Sequence, residues 1–442
     1  MALLRDNLGL AVTGATPEAL GHYEEAMHQL QCFIGDPVAA IDKAIAAAPG
    51  FAMAHVFKGV MFGLSTERDA MPIARDAGAT AAGLAGNDRE HAHAAALGQL
   101  AEGGWHRAAA ILEDLTIEVP QDALALLAGH QIDFFTGNAR MLRDRIARAL
   151  PVWSEAMPGY HAVLSMQAFG FEETADYARA EAFGRRAIDL QPRNGWAQHA
   201  VAHVMEMQSR QHDGIRWMRD NEANWTKENF LQVHNWWHLA LFHYDLGETD
   251  EMLALYNGPI YGARSTLALN MVDASALLWR LHLGGVNVGD RWQELAANWS
   301  PKAKAGNYAF NDAHAMMAFI GAGLSGAADD LIAAQREAMA ADDDNAGFTR
   351  DVGHPVCLAI RAFGDGNYAE TVRLLRPVRA ISGRFGGSHA QRDVIDLTLV
   401  EAAIRSGQTH LAQALAAERH SARPDSPLSA LFARRAAQMA VA

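Results

Sequence analysis

The sequence has only two cysteines, no long hydrophobic run and no excess of positive charge. Cys32 and Cys357 stand far apart and outside any CxxC pair, so neither a disulfide framework nor a thiolate zinc motif is indicated. Lys and Arg number 37 against 51 Asp and Glu, and the net charge of −14 opposes binding to a phosphate backbone. We therefore expect no nucleic-acid partner and a reducing, cytoplasmic location.

No segment approaches the ~18 uncharged apolar residues that a membrane span needs. The most apolar long stretch, LALNMVDASALLWRLHLGG, carries Asp273, Arg280 and His282. The N-terminus meets Arg5 and Asp6 before any apolar run reaches the length of a signal peptide. These absences predict a soluble protein with no export signal and no membrane association.

Several short catalytic motifs are also absent. The sequence contains no Walker A, GxSxG or HExxH pattern. Nucleotide chemistry of the P-loop type therefore has no support, and any active site must be built from residues outside these signatures.

What the sequence does contain is helical periodicity throughout. Apolar residues recur at helical spacing, Gly and Pro punctuate at short intervals, and no window sustains strand alternation. The segment LSMQAFGFEETADYARAEAFGRRAIDLQP places Ala168, Ala180, Ala187 and Pro192 at the small-residue and stop positions of a tetratricopeptide (TPR) unit. Ala202 stands one 34-residue period after Ala168, which predicts a helical-repeat protein.

Further units are indicated around Gly247, Gly366 and Gly407, with more degenerate helix pairs ending at Pro49 and Pro120. Each unit must stack on its neighbours to bury its apolar side. We predict an all-α, TPR-like α-solenoid of roughly nine to eleven antiparallel helix pairs, strongly curved and forming one domain. Its expected parts are degenerate pairs (1–150), central His/Trp-rich repeats (151–260), a helical connection (261–345) and C-terminal repeats (346–442).

Histidine and tryptophan are concentrated in one short region. Six of the 20 histidines and five of the 10 tryptophans fall between residues 196 and 243, about a tenth of the chain. In WAQHAVAHVMEM the spacing puts Trp196, His199, His203 and Glu206 on one helix stripe. In the TPR register this stripe faces the concave groove, the surface on which solenoids bind their ligands.

The neighbouring repeats contribute further polar and aromatic residues to the same expected wall. The preceding unit offers His161, Glu172 and Glu173, and the following unit offers His234, Trp237 and His238. Imidazoles, carboxylates and aromatic walls together are typical of a small-molecule pocket. The alternative is structural, since TPR-like helices also use aromatic and half-buried His side chains for packing.

Two HxxxH pairs on neighbouring helices, His199/His203 and His234/His238, leave the chemistry open. Imidazoles at i and i+4 can share a metal ion, with Glu206 one turn away. The same groups can equally act as general acid, general base and hydrogen-bond donors. We assign no metal ligands from the sequence, which does not decide whether a divalent metal is a cofactor.

A second constellation lies in FGGSHAQRD. Ser388 is a plausible N-cap, and His389, Gln391, Arg392 and Asp393 crowd the first helical turn. The simplest interpretation is a capped helix whose dipole favours Asp393. The alternative is a binding turn for an anionic ligand or for developing negative charge.

With these residues in place, the chain resembles the tetratricopeptide repeat protein 38 family. The resemblance spans nearly the whole length and rests on YHAVLSMQAFGFEE, WAQHAVAHVMEM, HNWWHLALFHYDLGE, NDAHAMMAF and GGSHAQRD. It implies a soluble, TPR-like helical fold and leaves the mechanism open. Ordinary TPR scaffolds clasp peptides with Lys, Arg and Asn, whereas this groove offers His, Trp and Glu.

That departure favours a small-molecule enzyme, a hydrolase or lyase, as the leading hypothesis. The catalytic candidates are His203, His238, Glu206, His389 and Asp393. The substrate-binding candidates are Trp196, His199, His161, Glu172, Glu173, His234, Trp237, Ser388, Gln391 and Arg392. Arg392 would clamp a carboxylate-like group of the substrate.

Two alternatives accompany this hypothesis. One is a non-catalytic TPR scaffold that binds a peptide or a metabolite, and the other is a His/Glu metal-dependent enzyme. The enzyme hypothesis requires the GGSHAQRD turn to lie beside the central histidines, close enough for one ligand to touch both. The sequence identifies neither the substrate nor the oligomeric state, and it is compatible with a homo-oligomer.

Overall fold

Helices form most of the protein in a computed structural model that describes residues 4–304 and 306–439. The only strands among the described residues are β1 (Leu4–Arg5) and β2 (Ala11–Val12), which pair antiparallel. The predicted all-α, TPR-like helical-repeat fold is therefore confirmed. None of the described helices combines the length and the apolar composition needed to cross a bilayer.

The chain divides into two compact units. Unit 1 combines the residues up to Val201 with Glu222–Gln232, and unit 2 combines Ala202–Asn221 with the residues from Val233 onward. The boundary falls inside helix α11 (Gly195–Met207). The predicted single repeat domain and its subdivision stay a prediction.

The helices of unit 1 follow one another with short connections. They are α1 (Pro17–Cys32), α2 (Pro37–Ala47), α3 (Ala52–Gly63), α4 (Met71–Leu84), α5 (Asp88–Ala101), α6 (Trp105–Glu118), α7 (Ala123–Phe135), α8 (Ala139–Ala149), α9 (Tyr160–Glu172), α10 (Tyr177–Leu190), the first part of α11, and α13 (Glu222–Thr226). Sequential helices pack against each other, as α1 does with α2, α3 with α4, and α9 with α10.

Unit 2 repeats this arrangement. Besides the end of α11 it contains α12 (Gln211–Asp220), α14 (Gln232–Leu246, from Val233), α15 (Thr249–Leu255), α16 (Ala268–Leu283), α17 (Arg291–Ala303), α18 (Ala309–Gly321), α19 (Ser325–Ala338), α20 (Asp344–Phe348), α21 (His354–Gly364), α22 (Tyr368–Val378), α23 (His389–Arg405), α24 (Thr409–Ala422) and α25 (Pro427–Gln438). Taken in chain order, the helices of the described residues form eleven successive pairs if α13, α20 and α25 are set aside. This number lies at the upper end of the nine to eleven pairs expected.

The predicted stops and turns mark real helix ends. Pro192 follows the end of α10 and Pro120 follows the end of α6, where a proline cannot continue the helix. Gly247 has φ 76° between α14 and α15, and Gly407 has φ 71° between α23 and α24. These left-handed positions reverse the chain within a few residues, and a side chain there would be strained.

Small residues allow the helices of a pair to approach closely. Ala168 on α9 and Ala180 and Ala187 on α10 are all completely buried. A Cβ added at Gly184 would lie only 2.6 Å from a methyl carbon of Val201. The TPR pattern of small residues therefore serves helix packing in the way that the sequence indicated.

The acidic segment 339–355, MAADDDNAGFTRDVGHP, contains α20 and a π-helical turn, Thr349–Gly353. The Asp343 side chain accepts a hydrogen bond from the backbone N–H of Ala346 at 2.8 Å and so caps α20. The acidic run begins a helix because an aspartate can satisfy its first free N–H groups.

Candidate functional site

Three histidines cluster in unit 2. His203 lies on α11, and His234 and His238 lie one turn apart on α14. The ring centroids are 4.3 Å apart for His203 and His238 and 4.8 Å apart for His234 and His238. His203 and His238 are completely buried, so the cluster lies inside the unit.

Two carboxylates each orient one of these imidazoles. Glu206 Oε2 lies 3.0 Å from Nδ1 of His238, and Asp273 Oδ1 lies 2.9 Å from Nδ1 of His234. An ionised carboxylate can only accept a hydrogen bond, so Nδ1 of each ring carries a hydrogen atom and donates the hydrogen bond. The lone pair of each neutral imidazole is therefore on Nε2.

This arrangement suits a metal ion. One nitrogen from each of His203, His234 and His238 lies within 4.8 Å of the others. Metal-bound imidazoles almost always donate their second N–H to a carboxylate, a carbonyl or water, which fixes the ring and raises its basicity. Two of the three histidines already have that partner.

Asp273 and Arg280 belong to the cluster but were not among the predicted site residues. Both lie on α16, seven residues and two turns apart, and only 3% and 1% of their surfaces are exposed. A sequence signal for them existed, because two opposite charges share one face of an otherwise apolar helix. Their partners, by contrast, lie on other helices and could not be inferred.

Arg280 connects the central cluster to α23. Its guanidinium lies 5.2 Å from the ring centroid of Trp237, within range of a cation–π interaction. It also donates to the backbone carbonyl oxygen of Ala390 at 2.7 Å. Burial lowers the pKa of Arg280, an effect that Asp393 opposes. The helix of the GGSHAQRD turn is thus joined to α14 through α16.

Glu206 brings the two predicted constellations together. Burial raises the pKa of its carboxyl group, while Arg423, 4.0 Å away, opposes the shift. Glu206 and Asp393 line one small cavity together with Arg280 and Arg419. These two carboxylates, one from each constellation, therefore lie at the same cavity within unit 2.

The GGSHAQRD turn itself is held by a helix cap. Ser388 Oγ accepts from the N–H of Gln391 at 3.3 Å, and Gln391 Oε1 accepts from the N–H of Ser388 at 3.0 Å. This is a capping box, so both side chains secure the start of α23. Arg392 donates to the carbonyl oxygen of Gly387 in the same turn.

Asp393 is an ionised partner of Arg419. The two form a bidentate pair with N–O distances of 2.6 and 3.0 Å. Burial would raise the pKa of Asp393, but Arg419 and Arg423 hold it well below its usual range. Asp393 therefore fixes an arginine in place and does not carry a proton at neutral pH.

A larger cavity of about 500 Å³ lies beside this pair, wholly in unit 2. Its charged and titratable lining residues are Arg379, His389, Arg392, Asp393, Asp396, Glu418, Arg419 and Arg423. The Arg423 side chain is only 13% exposed and lies 3.2 Å from the Met207 sulfur and 4.0 Å from Glu206, and its charge also acts on Asp393. Its guanidinium makes no bidentate pair with these carboxylates, unlike that of Arg419, so it retains donors that can bind an anion.

The other predicted binding residues lie in unit 1. Trp196 packs with Phe169 and His199, with ring centroids 4.8 Å apart in each case, and stacks on Phe33 at 5.3 Å. Glu172 and Glu173 are buried at the end of α9. His161, near the start of α9, contacts Asn194. The predicted site residues thus fall into two sets, one in each unit.

No family model matches the chain. Among solved structures, the chain is similar to the yeast protein Tom70 at 11% sequence identity, with a TM-score of 0.34 and 96% of each chain covered. The fold itself defines a protein of the TPR-like helical-repeat class, on the basis of the paired helices described above. Membership in the tetratricopeptide repeat protein 38 family stays a prediction.

Proposed function

We propose that this helical-repeat protein is a binding scaffold that holds a divalent metal ion on His203, His234 and His238. The observation that carries the proposal is the pairing of two neighbouring imidazoles with buried carboxylates through Nδ1. This pairing directs both Nε2 lone pairs away from the carboxylates. It is the arrangement in which imidazoles bind zinc most often.

The chemistry of the donors favours zinc among divalent ions. Neutral imidazole is a borderline-soft ligand that suits Zn²⁺, whereas Mg²⁺ and Ca²⁺ prefer oxygen. Three protein ligands leave a position on the ion for a ligand from outside, as in zinc sites that bind small molecules. When bound, the ion would supply a Lewis acid for an anionic or carbonyl oxygen.

The cavity beside Asp393 supports a small organic anion as the second ligand of this scaffold. Its volume of about 500 Å³ lies in the range of pockets for small molecules. Arg423 and Arg392 would bind a carboxylate or phosphate group there. This keeps the predicted carboxylate-bearing partner and adds Arg423 to the expected anion clamp.

Metal binding tests the proposal directly. Protein stripped with a chelator and carrying Cys32→Ser, so that no thiolate near a histidine contributes, would be titrated with Zn²⁺ in a calorimeter. We expect one zinc per chain and a loss of at least tenfold in affinity on His238→Ala or His234→Ala. His243→Ala is the matched control, because that histidine is buried on the same helix and pairs with Glu248. Unchanged zinc affinity in both site variants would refute the proposal.

A metal-free hydrolase or lyase is the second candidate function. It is favoured by the 3.0 Å hydrogen bond between His238 and Glu206 and by the position of Glu206 in a cavity shared with Asp393. In this case Glu206 would orient His238, and His238 would move a proton to or from the substrate. Full turnover in protein with substoichiometric metal would select this function over the metal centre.

A scaffold that binds only a peptide would show neither activity nor stoichiometric metal. The helical-repeat architecture is compatible with it, since stacked repeats present extended binding surfaces. A protein that retains peptide binding after His238→Ala and contains no metal would therefore point to this simplest function.

A further inference from the structure

We infer that unit 1 carries a separate site for a thiophilic divalent ion, formed by His28, Cys32 and His161. One potential ligand atom from each residue lies within 4.8 Å of the other two. None of the predicted motifs includes Cys32, and His161 was assigned only to substrate binding. The site lies wholly within unit 1 and does not depend on the proposed histidine site of unit 2.

The backbone explains how the three side chains meet. His28 and Cys32 stand four residues apart in the last turn of α1, on one face of the helix. The distance from Sγ of Cys32 to Nδ1 of His28 is 4.0 Å. His161 is the second residue of α9, and its ring centroid lies 6.5 Å from that of His28. Two helix ends thus bring three potential ligands into one place.

The distances are close to those of a bound site. Zinc lies ~2.3 Å from sulfur and ~2.0 to 2.1 Å from imidazole nitrogen, so its ligands stand between about 3 and 4 Å apart. Closing a gap of up to 4.8 Å to that value needs a movement of about 1 Å. His28 can make it, because its side chain is exposed and free to change rotamer.

The protonation states allow exchange of one proton for one metal ion. Burial raises the pKa of the Cys32 thiol to about 12, so the metal-free site holds a neutral thiol. Burial also lowers the pKa of His161 to about 4, so this imidazole is neutral and able to bind a cation. On metal binding the S–H bond breaks, the proton leaves to solvent, and the thiolate sulfur donates an electron pair to the ion.

Asn194 determines which nitrogen of His161 carries the proton. Its Oδ1 accepts from the backbone N–H of Ala197 at 2.9 Å, and its Nδ2 lies 2.9 Å from Nδ1 of His161. The amide therefore donates to Nδ1, which places the proton of neutral His161 on Nε2. Ligation through Nε2 requires that proton to move to Nδ1 and the amide to turn away. The cost is about that of one helix cap, which is small beside the free energy of zinc–thiolate coordination.

The site has an open side. A cavity of about 160 Å³ in unit 1 is lined by His28, Gln31 and Gly159, among others. That volume accommodates water or a small ligand as the fourth partner of a tetrahedral ion. The three residues thus leave one position open, as in zinc sites that bind a ligand from outside the protein.

Cobalt titration tests this site separately from the histidine site of unit 2. Co²⁺ bound to a cysteine thiolate gives a near-ultraviolet charge-transfer band, which imidazole ligands alone do not give. We expect the full-length protein to show this band, with an intensity that saturates at one thiolate-bound Co²⁺ per chain, and Cys32→Ser and His161→Ala to lose it. Cys357→Ser should keep it, because Cys357 is buried in unit 2 beside Gln335. Absence of the band, or its survival in Cys32→Ser, would overturn the inference.

Asn194→Asp provides a second experiment, which tests ligation by His161. Aspartate caps a helix as well as asparagine, so one oxygen can accept from Ala197 while the other accepts from Nδ1–H of His161. The carboxylate would create the partner that metal-bound imidazoles prefer, and we expect Co²⁺ affinity to rise ten- to a hundredfold. Equal or weaker affinity in a variant with unchanged helicity would contradict ligation by His161. His22→Ala on the same helix is the control for general effects on α1.

Discussion

Nδ1 of His234 lies 2.9 Å from Oδ1 of Asp273, although 39 residues separate the two in the chain. Asp273 is almost completely buried, and Oδ2 lies 3.0 Å from the same nitrogen. This contact between α14 and α16 fixes the orientation and tautomer of the ring. Its role as a support for metal binding can be separated from a role in packing.

Asp273→Asn should weaken zinc binding at the histidine site by about tenfold or more. The amide oxygen still accepts from Nδ1–H, so the ring stays in place, but the neutral partner no longer raises the basicity of Nε2. The measurement is competition with a chromophoric chelator, in protein that also carries Cys32→Ser. Asp342→Asn, at an exposed position, is the matched control. Zinc affinity that is equal in both variants would show that Asp273 serves packing alone.

Arg280→Lys should destabilise unit 2 by about 2 kcal/mol, the range for loss of charge-assisted hydrogen bonds. The two terminal guanidinium nitrogens of Arg280 donate to the carbonyl oxygens of Ala276 and Ala390 at 3.1 and 2.7 Å, and the guanidinium also lies over the Trp237 ring. A lysine ammonium cannot make all three contacts at once. Urea denaturation checks the value, with Arg336→Lys as a more exposed comparison. If Arg280→Lys costs no more stability than Arg336→Lys, then Arg280 does not connect α16 to α23 in an energetically important way.

Asp312 should make unit 2 less stable as the pH rises. Burial raises the pKa of its carboxyl group from 3.8 to about 7, and a weak hydrogen bond from Gln335 at 3.3 Å opposes the shift only in part. Because the folded state holds the proton more tightly than the unfolded state, the stabilisation is complete below about pH 4. It is lost as the pH rises to about 7.

Asp312→Asn should flatten this dependence, since asparagine resembles the protonated acid and does not ionise. Unfolding free energies measured at about pH 5 and about pH 8 would differ less in the variant than in the parent protein. A tenfold change in the acid dissociation constant on folding corresponds to about 1.4 kcal/mol, so the difference is measurable. A parallel loss of stability in both proteins would assign the pH dependence to other groups.

Phe169→Ala should destabilise unit 1 by about 3 to 5 kcal/mol. Phe169 is completely buried and packs on Trp196 and His199. Phe230→Ala, at a ring that is 43% exposed and contacts Phe33, should cost much less. Thermal unfolding followed by tryptophan fluorescence compares the two. Equal losses would mean that the aromatic cluster does not form the core of this unit.

Arg423→Gln should reduce binding of a small polycarboxylate such as citrate by about ten- to a hundredfold. The glutamine retains hydrogen-bonding groups but lacks the charge that faces the 500 Å³ cavity. Calorimetric titration with citrate and with inorganic phosphate distinguishes the preferred anion. Arg434→Gln, on α25, is the control for net charge. Binding that is unchanged in Arg423→Gln would remove this residue from the anion site.

Much of the fold follows from local sequence signals. Pro192, Gly247 and Gly407 act on their own neighbourhood, because a fixed or left-handed φ ends a helix wherever it occurs. The stripe of His203 and Glu206 likewise follows from the helix period alone. Their chemical partners could not be predicted in this way.

The sequence by itself determined the helices, their pairing in repeats, and which side chains share a helix face, because these depend on residues a few positions apart. Only the tertiary structure decided that Asp273 orients His234, that Arg280 joins Ala390, and that His161 meets Cys32. Those contacts join residues far apart in the chain, and packing between helices sets their register and distance. A polar side chain buried by that packing must find its partner there, and no local pattern specifies which one it will be.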